Sequence, residues 1–231
     1  MKPQPIFLPT GSYEQHGPHL PPDTDTRIAE LLAQRLAERF KGLCLPAIPF
    51  GCSWEHLGSQ TLTLRSSTLA ALVDDLAHSL QQWQPRPGLL VLVNWHGGNA
   101  LLSSLAAEIS ARDGLPCAVL EGQRVASGLW QSQYGSPADV HAGELETSIL
   151  LAYWPEHVRQ PLPAGEPRPL EPPLSVQPAL QALGVRALSP SGVIGSPLQA
   201  RQERGRAIVE RTIERLSQQL QHLLILMEQR A

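Results

Sequence analysis

A single α/β domain built on a parallel sheet is what this 231-residue sequence predicts, and three observations carry the prediction. Apolar runs of strand length alternate with stretches of helical period, the pattern of a parallel sheet joined by right-handed crossovers. One run, Leu89 to Val93, is apolar at every position, as a central strand covered on both faces must be. An apolar fraction of 42% over this length suits a substantial core in one domain, residues 1–231, better than two small ones.

The elements follow in chain order. "PIFLPTGS" begins as an apolar strand and breaks at Pro9 and Gly11. From Asp25 the period becomes helical, with Ile28, Leu31, Leu32, Leu36 and Phe40 at three- and four-residue steps. "GLCLPAIPFG" reads as a second strand, and "SSTLAALVDDLAHSLQQW" as an amphipathic helix with serines available to cap its start. "GLLVLVNWHGGN" is a strand running straight into a Gly-rich turn; "ALLSSLAAEISAR" then reads as a helix and "LPCAVLEG" as a strand. "DVHAGELETSILLAYW" opens on polar residues and continues as an apolar helix. Prolines over residues 155–175 predict an irregular surface excursion, and "LSPSGVIGSP" a turn-rich loop with a short strand. One long helix is expected from Gln199 to the end.

Composition narrows the function. A net charge of −3 with scattered basic residues gives no electrostatic case for nucleic acid or an anionic membrane. Arg201, Arg204 and Arg206 read as the solvated face of a helix. The opening "MKPQPIFLPTG" lacks the apolar centre of a signal peptide, and no run nears the ~18 apolar residues of a membrane span, so a cytoplasmic protein is expected. Cys44, Cys52 and Cys117 are odd in number, far apart and without CxxC spacing, which predicts buried, unreactive thiols.

Chemistry concentrates in three segments. "GSYEQHGPHLPPDTDT", Gly11 to Thr26, gathers Glu14, His16, His19, Asp23 and Asp25 among prolines and glycines. It and "NWHGGN" both leave the carboxyl ends of expected strands, where open parallel sheets bind ligands. Glu14, His16, Asp25 and His96 therefore meet at one rim, and that donor set suits a borderline divalent metal such as Zn, Mn or Fe. Taken singly each is an ordinary polar loop residue; two clusters at matching strand ends are not. Gly97 and Gly98 clear bulk beside His96, while neither GxxxxGK[ST] nor GxGxxG is present to make a phosphate loop. The third segment, "HAGELETS", places His141 and Glu144 on one face at helical spacing, with Glu146 round the barrel from both. Acids at a helix start also complement its dipole, but capping has no use for His141. His19 reads as a loop-positioning residue, and His56, His78, His157 and His222 as structural or solvent-facing. Trp54, Trp95, Trp130 and Trp154 read first as core residues, with a pocket wall as the second possibility. Ser12, Ser53 and Ser191 lack a GxSxG elbow, and "PEHVRQ" lacks the second histidine of a zincin.

Together and in this order, the three segments resemble the creatininase (creatinine amidohydrolase) family from Leu8 to Ser148. The resemblance implies a three-layer α/β/α fold, assembly into homohexamers and two divalent metal ions per subunit. It implies that Glu14 and His16 are ligands to different ions, that Asp25 bridges them and that His96 joins the Glu14 side. Creatininase carries a glutamate two residues after the histidine of the second motif, where this sequence has Gly98; Glu146 is the expected replacement ligand. By the same resemblance His141 is the proton donor and shuttle, with Glu144 orienting it or taking a proton from the water between the ions. The implied reaction is hydrolysis of a C–N bond in an amide. Substrates in the family include creatinine, formamidopyrimidine intermediates and modified precursor peptides, and Gly98 makes creatinine the less expected of these. A non-catalytic family member that only binds metal or ligand is the alternative, disfavoured by His141.

Overall fold

The structure is a computed structural model describing residues 4–134, 139–166 and 176–229. Its centre is a sheet of four parallel strands: β1 (Pro5–Thr10), β2 (Leu43–Cys44), β3 (Leu89–Asn94) and β4 (Cys117–Glu121), in the order β2-β1-β3-β4. Around it lie α1 (Thr24–Phe40), α2 (Ser66–Gln81), α3 (Leu101–Asp113), α4 (Gly122–Tyr134), α5 (Glu144–Tyr153), α6 (Gln177–Leu183), α7 (Val185–Leu188) and α8 (Gln202–Glu228).

Side-chain alternation along the inner strands builds the three layers. Phe7, Leu89, Val91 and Val93 point into a core shared with α1, α4, α5 and α8. Ile6, Leu8, Leu90 and Leu92 point the other way, into a core completed by Leu69 and Val73 of α2 and by Leu102 and Ile109 of α3. A residue order that is apolar at every position is thus consumed by two cores at once. On the first side α8 lies so close to α5 that a Cβ on Gly205 would come within 1.9 Å of the Ser148 carbonyl oxygen. Only glycine permits that crossing.

The strand order places a topological switch between β1 and β3: the chain leaves β1 toward β2 and later returns across β1 to form β3. Loops departing the two strands diverge there and open a crevice at their carboxyl ends. Glu14 and His16 lie on the loop after β1, and His96 on the loop after β3.

Several expectations are corrected. The second strand shrinks to Leu43–Cys44, although Leu45 and Ile48 still donate backbone bonds to Phe7 and Pro9 of β1; Pro46 and Pro49 have no N–H with which to extend the ladder. The serines do not cap α2, whose N-cap is Arg65 without a side-chain bond. Helix α4 has no counterpart among the sequence expectations, although its buried Gly122, Ala126 and Trp130 recur at four-residue steps. "LSPSGVIGSP" contains no strand: Ile194 makes isolated bridges to His141 and Glu166. The long last helix starts at Gln202, after a short turn over Pro197–Gln199. Of the proline-rich excursion, residues 167–175 lie outside the described residues. Trp54 is 52% exposed instead of packed in the core, whereas Trp95 and Trp130 are buried.

The three cysteines are free. Cys52 is buried and the others half-buried, and burial raises all three thiols, Cys117 to about 12. A raised thiol stays protonated at neutral pH and is a poor nucleophile. Folded protein at pH 7.5 should accordingly react slowly with a disulfide reagent and release three equivalents of reporter only after unfolding. Fast labelling of the folded chain would contradict this.

Candidate metal centre

At the switch crevice, side chains from three separate segments converge in a buried cluster. Asp25 is the second residue of α1, and its carboxylate stands between two imidazoles: Oδ1 is 3.3 Å from His16 Nε2, and Oδ2 is 3.0 Å from His96 Nδ1. Ser12 Oγ donates to the same Oδ2 at 3.2 Å. Glu14 approaches from the other side, with Oε2 3.3 Å from His96 Nδ1. Glu146, in the first turn of α5, brings its Oε2 to 3.9 Å from His16 Nε2.

Three groups of donor atoms emerge among the described residues, Glu14–Asp25–His96, His16–Asp25–Glu146 and Glu14–His16–His141, each with its atoms within 4.8 Å of one another, and Asp25 joins the first two. Glu14 Oε2, His16 Nε2 and Asp25 Oδ1 are fully buried and, beyond the ion-pair contacts among these side chains, have no hydrogen-bond partner. Buried polar atoms are rarely left this way, because each unmet group costs about 1–3 kcal/mol. Three such atoms converging on shared gaps fit divalent cations, and hard oxygen with imidazole nitrogen is a donor set that Zn, Mn or Fe accepts.

The hydrogen bonds around the cluster aim these donors. His16 Nδ1–H donates to the Glu14 carbonyl at 3.0 Å, which leaves Nε2 as the lone-pair nitrogen facing inward. His96 Nε2–H donates to the Cys52 carbonyl at 3.1 Å, beside Ser53 Oγ, and turns Nδ1 inward. Glu146 is held at both oxygens, by Trp95 Nε1–H at 3.2 Å and by the Ala142 backbone N–H at 2.8 Å. Ala142 takes a left-handed φ of 53° to point that N–H at the carboxylate. Such a conformation costs a non-glycine residue about 1 kcal/mol.

Charge tells the same story. Burial works against a proton on His16 or His96, yet the neighbouring carboxylates overcome it and lift both imidazoles to about 10. Asp25 is conversely held far below the usual carboxylate range by His16 and His96 in spite of burial. The pocket demands positive charge, which in a metal-free chain only protons can supply.

His141 lies at the mouth. Its ring centroid is 4.4 Å from that of His16, and Nε2–H donates to the Gln15 carbonyl at 2.7 Å. Nδ1 is therefore the free nitrogen, 3.7 Å from Glu14 Oε1. The residue precedes α5 and pairs with Ile194 in a bridge, so the helical-face relation expected between His141 and Glu144 does not exist. Glu144 is turned away from the cluster and ion-paired with Arg204 of α8, whose guanidinium also covers the Tyr134 ring at 4.8 Å. Arg204 thus has work beyond the solvated role read from sequence. Glu144→Gln should leave metal uptake intact and lower stability by no more than about 1 kcal/mol, as expected of a partly exposed ion pair; metal titration and thermal unfolding of the variant check this.

His56 is the residue that sequence reasoning missed. It is buried, its Nε2 is 3.3 Å from Glu14 Oε1, and its ring centroid is 4.5 Å from that of His141. Burial pushes it down to about 3, so it is neutral. His19, also buried, bonds Thr147 Oγ1 at 2.9 Å and stays outside the donor groups. His78, His157 and His222 are exposed. A small cavity of about 70 Å³ opens on the cluster past His56, His96 and His141, and a larger one of about 550 Å³ shares Gly97, Gln123 and Val140 with it.

Carboxylates and imidazoles gathered around Asp25, at the carboxyl edge of a parallel sheet, are a donor set of the kind metal-dependent hydrolases use. The sequence profile of the Creatininase family (creatinine amidohydrolase) matches residues 1–220. The chain is 37% identical over 221 residues to the mycofactocin precursor peptide peptidase of Mycobacterium ulcerans, covering 90% of this chain and 81% of that protein. It is 26% identical over 225 residues to the creatinine amidohydrolase of Pseudomonas putida, covering 89% and 84%. A solved glutamate-to-glutamine variant of creatininase, of the Zn–Zn type, superposes with a TM-score of 0.73 at 24% identity, over 95% of this chain and 90% of that one. The chain belongs to the creatininase family, metal-dependent hydrolases of C–N bonds. No helix among the described residues is long and apolar enough to cross a membrane.

Proposed function

We propose that this protein is a dinuclear metal hydrolase that cleaves an amide bond in a modified precursor peptide. The observation that carries the metal reading is the trio of buried atoms without partners, Glu14 Oε2, His16 Nε2 and Asp25 Oδ1, in two donor groups joined by Asp25. Glu14, Asp25 and His96 would hold one ion, and His16, Asp25 and Glu146 the other. When bound, such a pair supplies an ionised water near neutral pH and polarises the carbonyl under attack. His141 Nδ1 takes up the proton shed by the attacking water and returns it to the leaving nitrogen, while its Nε2–H stays fixed on the Gln15 carbonyl. Glu144 serves by tethering α5 to α8, so that Glu146 and His141 project from a fixed base.

The peptide class is supported by the higher identity to the mycofactocin precursor peptide peptidase, 37% against 26% for the creatinine amidohydrolase, and by the roughly 550 Å³ of space beside the site. Gly98 supports it as well, because a Cβ there would lie 1.9 Å from the Cys52 carbonyl oxygen and no glutamate can be seated. In this reading the chain works as one domain, in the cytoplasm, as a hexamer; light scattering that shows a monomer at high concentration would remove the last part.

The test loads metal-free protein with zinc or manganese, counts bound ions by elemental analysis, and offers a precursor-derived peptide and creatinine side by side. Two ions per chain and peptide cleavage without creatinine turnover are expected. Creatinine turnover without peptide cleavage would overturn the substrate, and a folded chain that takes up no metal would overturn the whole reading.

A further inference from the structure

The side chain of Gln15, between the two residues Glu14 and His16, has no place in the mechanism above, nor has His56. Their hydrogen bonds determine each other. Gln15 Oε1 accepts the Gly17 backbone N–H at 3.0 Å, and Gln15 Nε2 lies 3.3 Å from the Gly192 carbonyl, which can only accept. The amide therefore has one orientation. Its nitrogen also lies 3.0 Å from His56 Nδ1 and 3.1 Å from His141 Nε2. His141 Nε2 already carries a hydrogen, because the Gln15 carbonyl beside it at 2.7 Å is an acceptor and nothing else. It cannot accept a second one. The remaining Gln15 hydrogen goes to His56 Nδ1, and the proton of the neutral imidazole is forced onto Nε2, which faces Glu14 Oε1 at 3.3 Å.

The consequence reaches the carboxylate. Glu14 Oε1 meets an N–H, while Glu14 Oε2 is the buried atom left without a partner beside His96 and Asp25. Ligating carboxylates are commonly oriented by a hydrogen bond at the oxygen that the metal does not take.

We infer that Gln15 and His56 are positioning residues for Glu14: Gln15 fixes His56 as the Nε2–H tautomer, and His56 holds Glu14 Oε1 so that Oε2 is presented to an ion. This rests on the dinuclear reading for the ion, but the tautomer stands independently of it. The relay also separates the two imidazoles at the mouth, for His56 shows an N–H to the site where His141 shows a lone pair.

Two measurements test the inference. A ring-nitrogen NMR spectrum of the metal-free protein should show His56 in the Nε2–H form, and Gln15→Glu, which offers His56 an acceptor in place of a donor, should move its proton to Nδ1. Calorimetric titration of zinc should find two sites in the wild type. His56→Leu and Gln15→Glu should weaken one of them by about 10–100-fold, the range for lost outer-shell partners, and leave the other near its original affinity. His56→Gln, whose amide can still donate toward Glu14, should recover most of the loss. A wild-type His56 protonated at Nδ1, or a His56→Leu protein that binds both ions as tightly as the wild type, overturns the inference. Should His56→Leu fail to fold, the wild-type and Gln15→Glu spectra decide it. Wild type that binds no zinc would sink the dinuclear reading instead, and the spectra would still report the tautomer.

Discussion

Asp25→Ala is expected to empty both halves of the metal centre and to abolish hydrolysis while the fold survives. Asp25 joins the Glu14–Asp25–His96 and His16–Asp25–Glu146 groups, with Oδ1 turned to His16 and Oδ2 to His96. Its removal leaves Glu14 and His96 on one side, His16 and Glu146 on the other, and nothing to hold two cations against their mutual repulsion. Losing an outer-shell partner already weakens metal binding by about 10–100-fold, so losing a ligand to both ions should cost more than ~100-fold at each. Activity should fall at least as far, because the ionised water and the polarised carbonyl both depend on the ions. The fold should persist, because the two cores on either side of the sheet are made by other residues. Elemental analysis after dialysis, paired with a circular dichroism melt, separates the outcomes. Asp25→Ala protein that retains two ions per chain would refute the bridging role; loss of one ion only would make Asp25 a ligand to a single site.

The positions that sequence reasoning found share one property. Glu14, His16, Asp25 and His96 leave the carboxyl ends of strands whose apolar runs are unmistakable, so chain position and spatial position coincide. The same criterion applies to His56, which follows β2 in the segment Gly51 to His56. Local pattern does not mark it, because the partner that gives the histidine meaning, Gln15, lies forty-one positions away. The pairing is tertiary and has no spacing to read. His141 shows the reverse error. Its spacing from Glu144 is helical, but the helix begins only at Glu144, and a left-handed Ala142 breaks the relation that a continuous helix would impose. Helix α4 was obscured by Gly122, Ser127 and Gly128, which dilute a period still visible in Ala126 and Trp130. Local pattern locates strands and the loops behind them. Which side chains face each other across a crevice is decided by strand order, which no single segment encodes.

Gly98→Ala should injure both the fold and the site, and Gly97→Ala beside it should be tolerated. The two glycines are adjacent and look equivalent in "HGGN", yet their surroundings differ. A Cβ on Gly97 would meet only Gln123 Oε1, at 3.5 Å, an ordinary contact with the end of a flexible side chain. A Cβ on Gly98 would lie 1.9 Å from the Cys52 carbonyl oxygen and 2.5 Å from His96 Nε2. Those two atoms bond each other at 3.1 Å, and that bond turns His96 Nδ1 toward Glu14 and Asp25. The methyl must therefore displace a backbone carbonyl or the imidazole, and either way the ring loses its aim. Overpacking of this kind costs about 1–3 kcal/mol, and here it falls on a ligand as well as on the fold. Zinc titration should show the Glu14–Asp25–His96 site weakened well beyond the His16–Asp25–Glu146 site, with a lowered melting temperature. Gly98→Glu should fare no better, since its Cβ meets the same carbonyl; the glutamate that creatininase carries after its histidine cannot be restored here by substitution alone. Were Gly98→Ala to melt and bind zinc like Gly97→Ala, the packing of Cys52 against His96 described above would be wrong, and Glu146 would lose its standing as the ligand that Gly98 makes necessary.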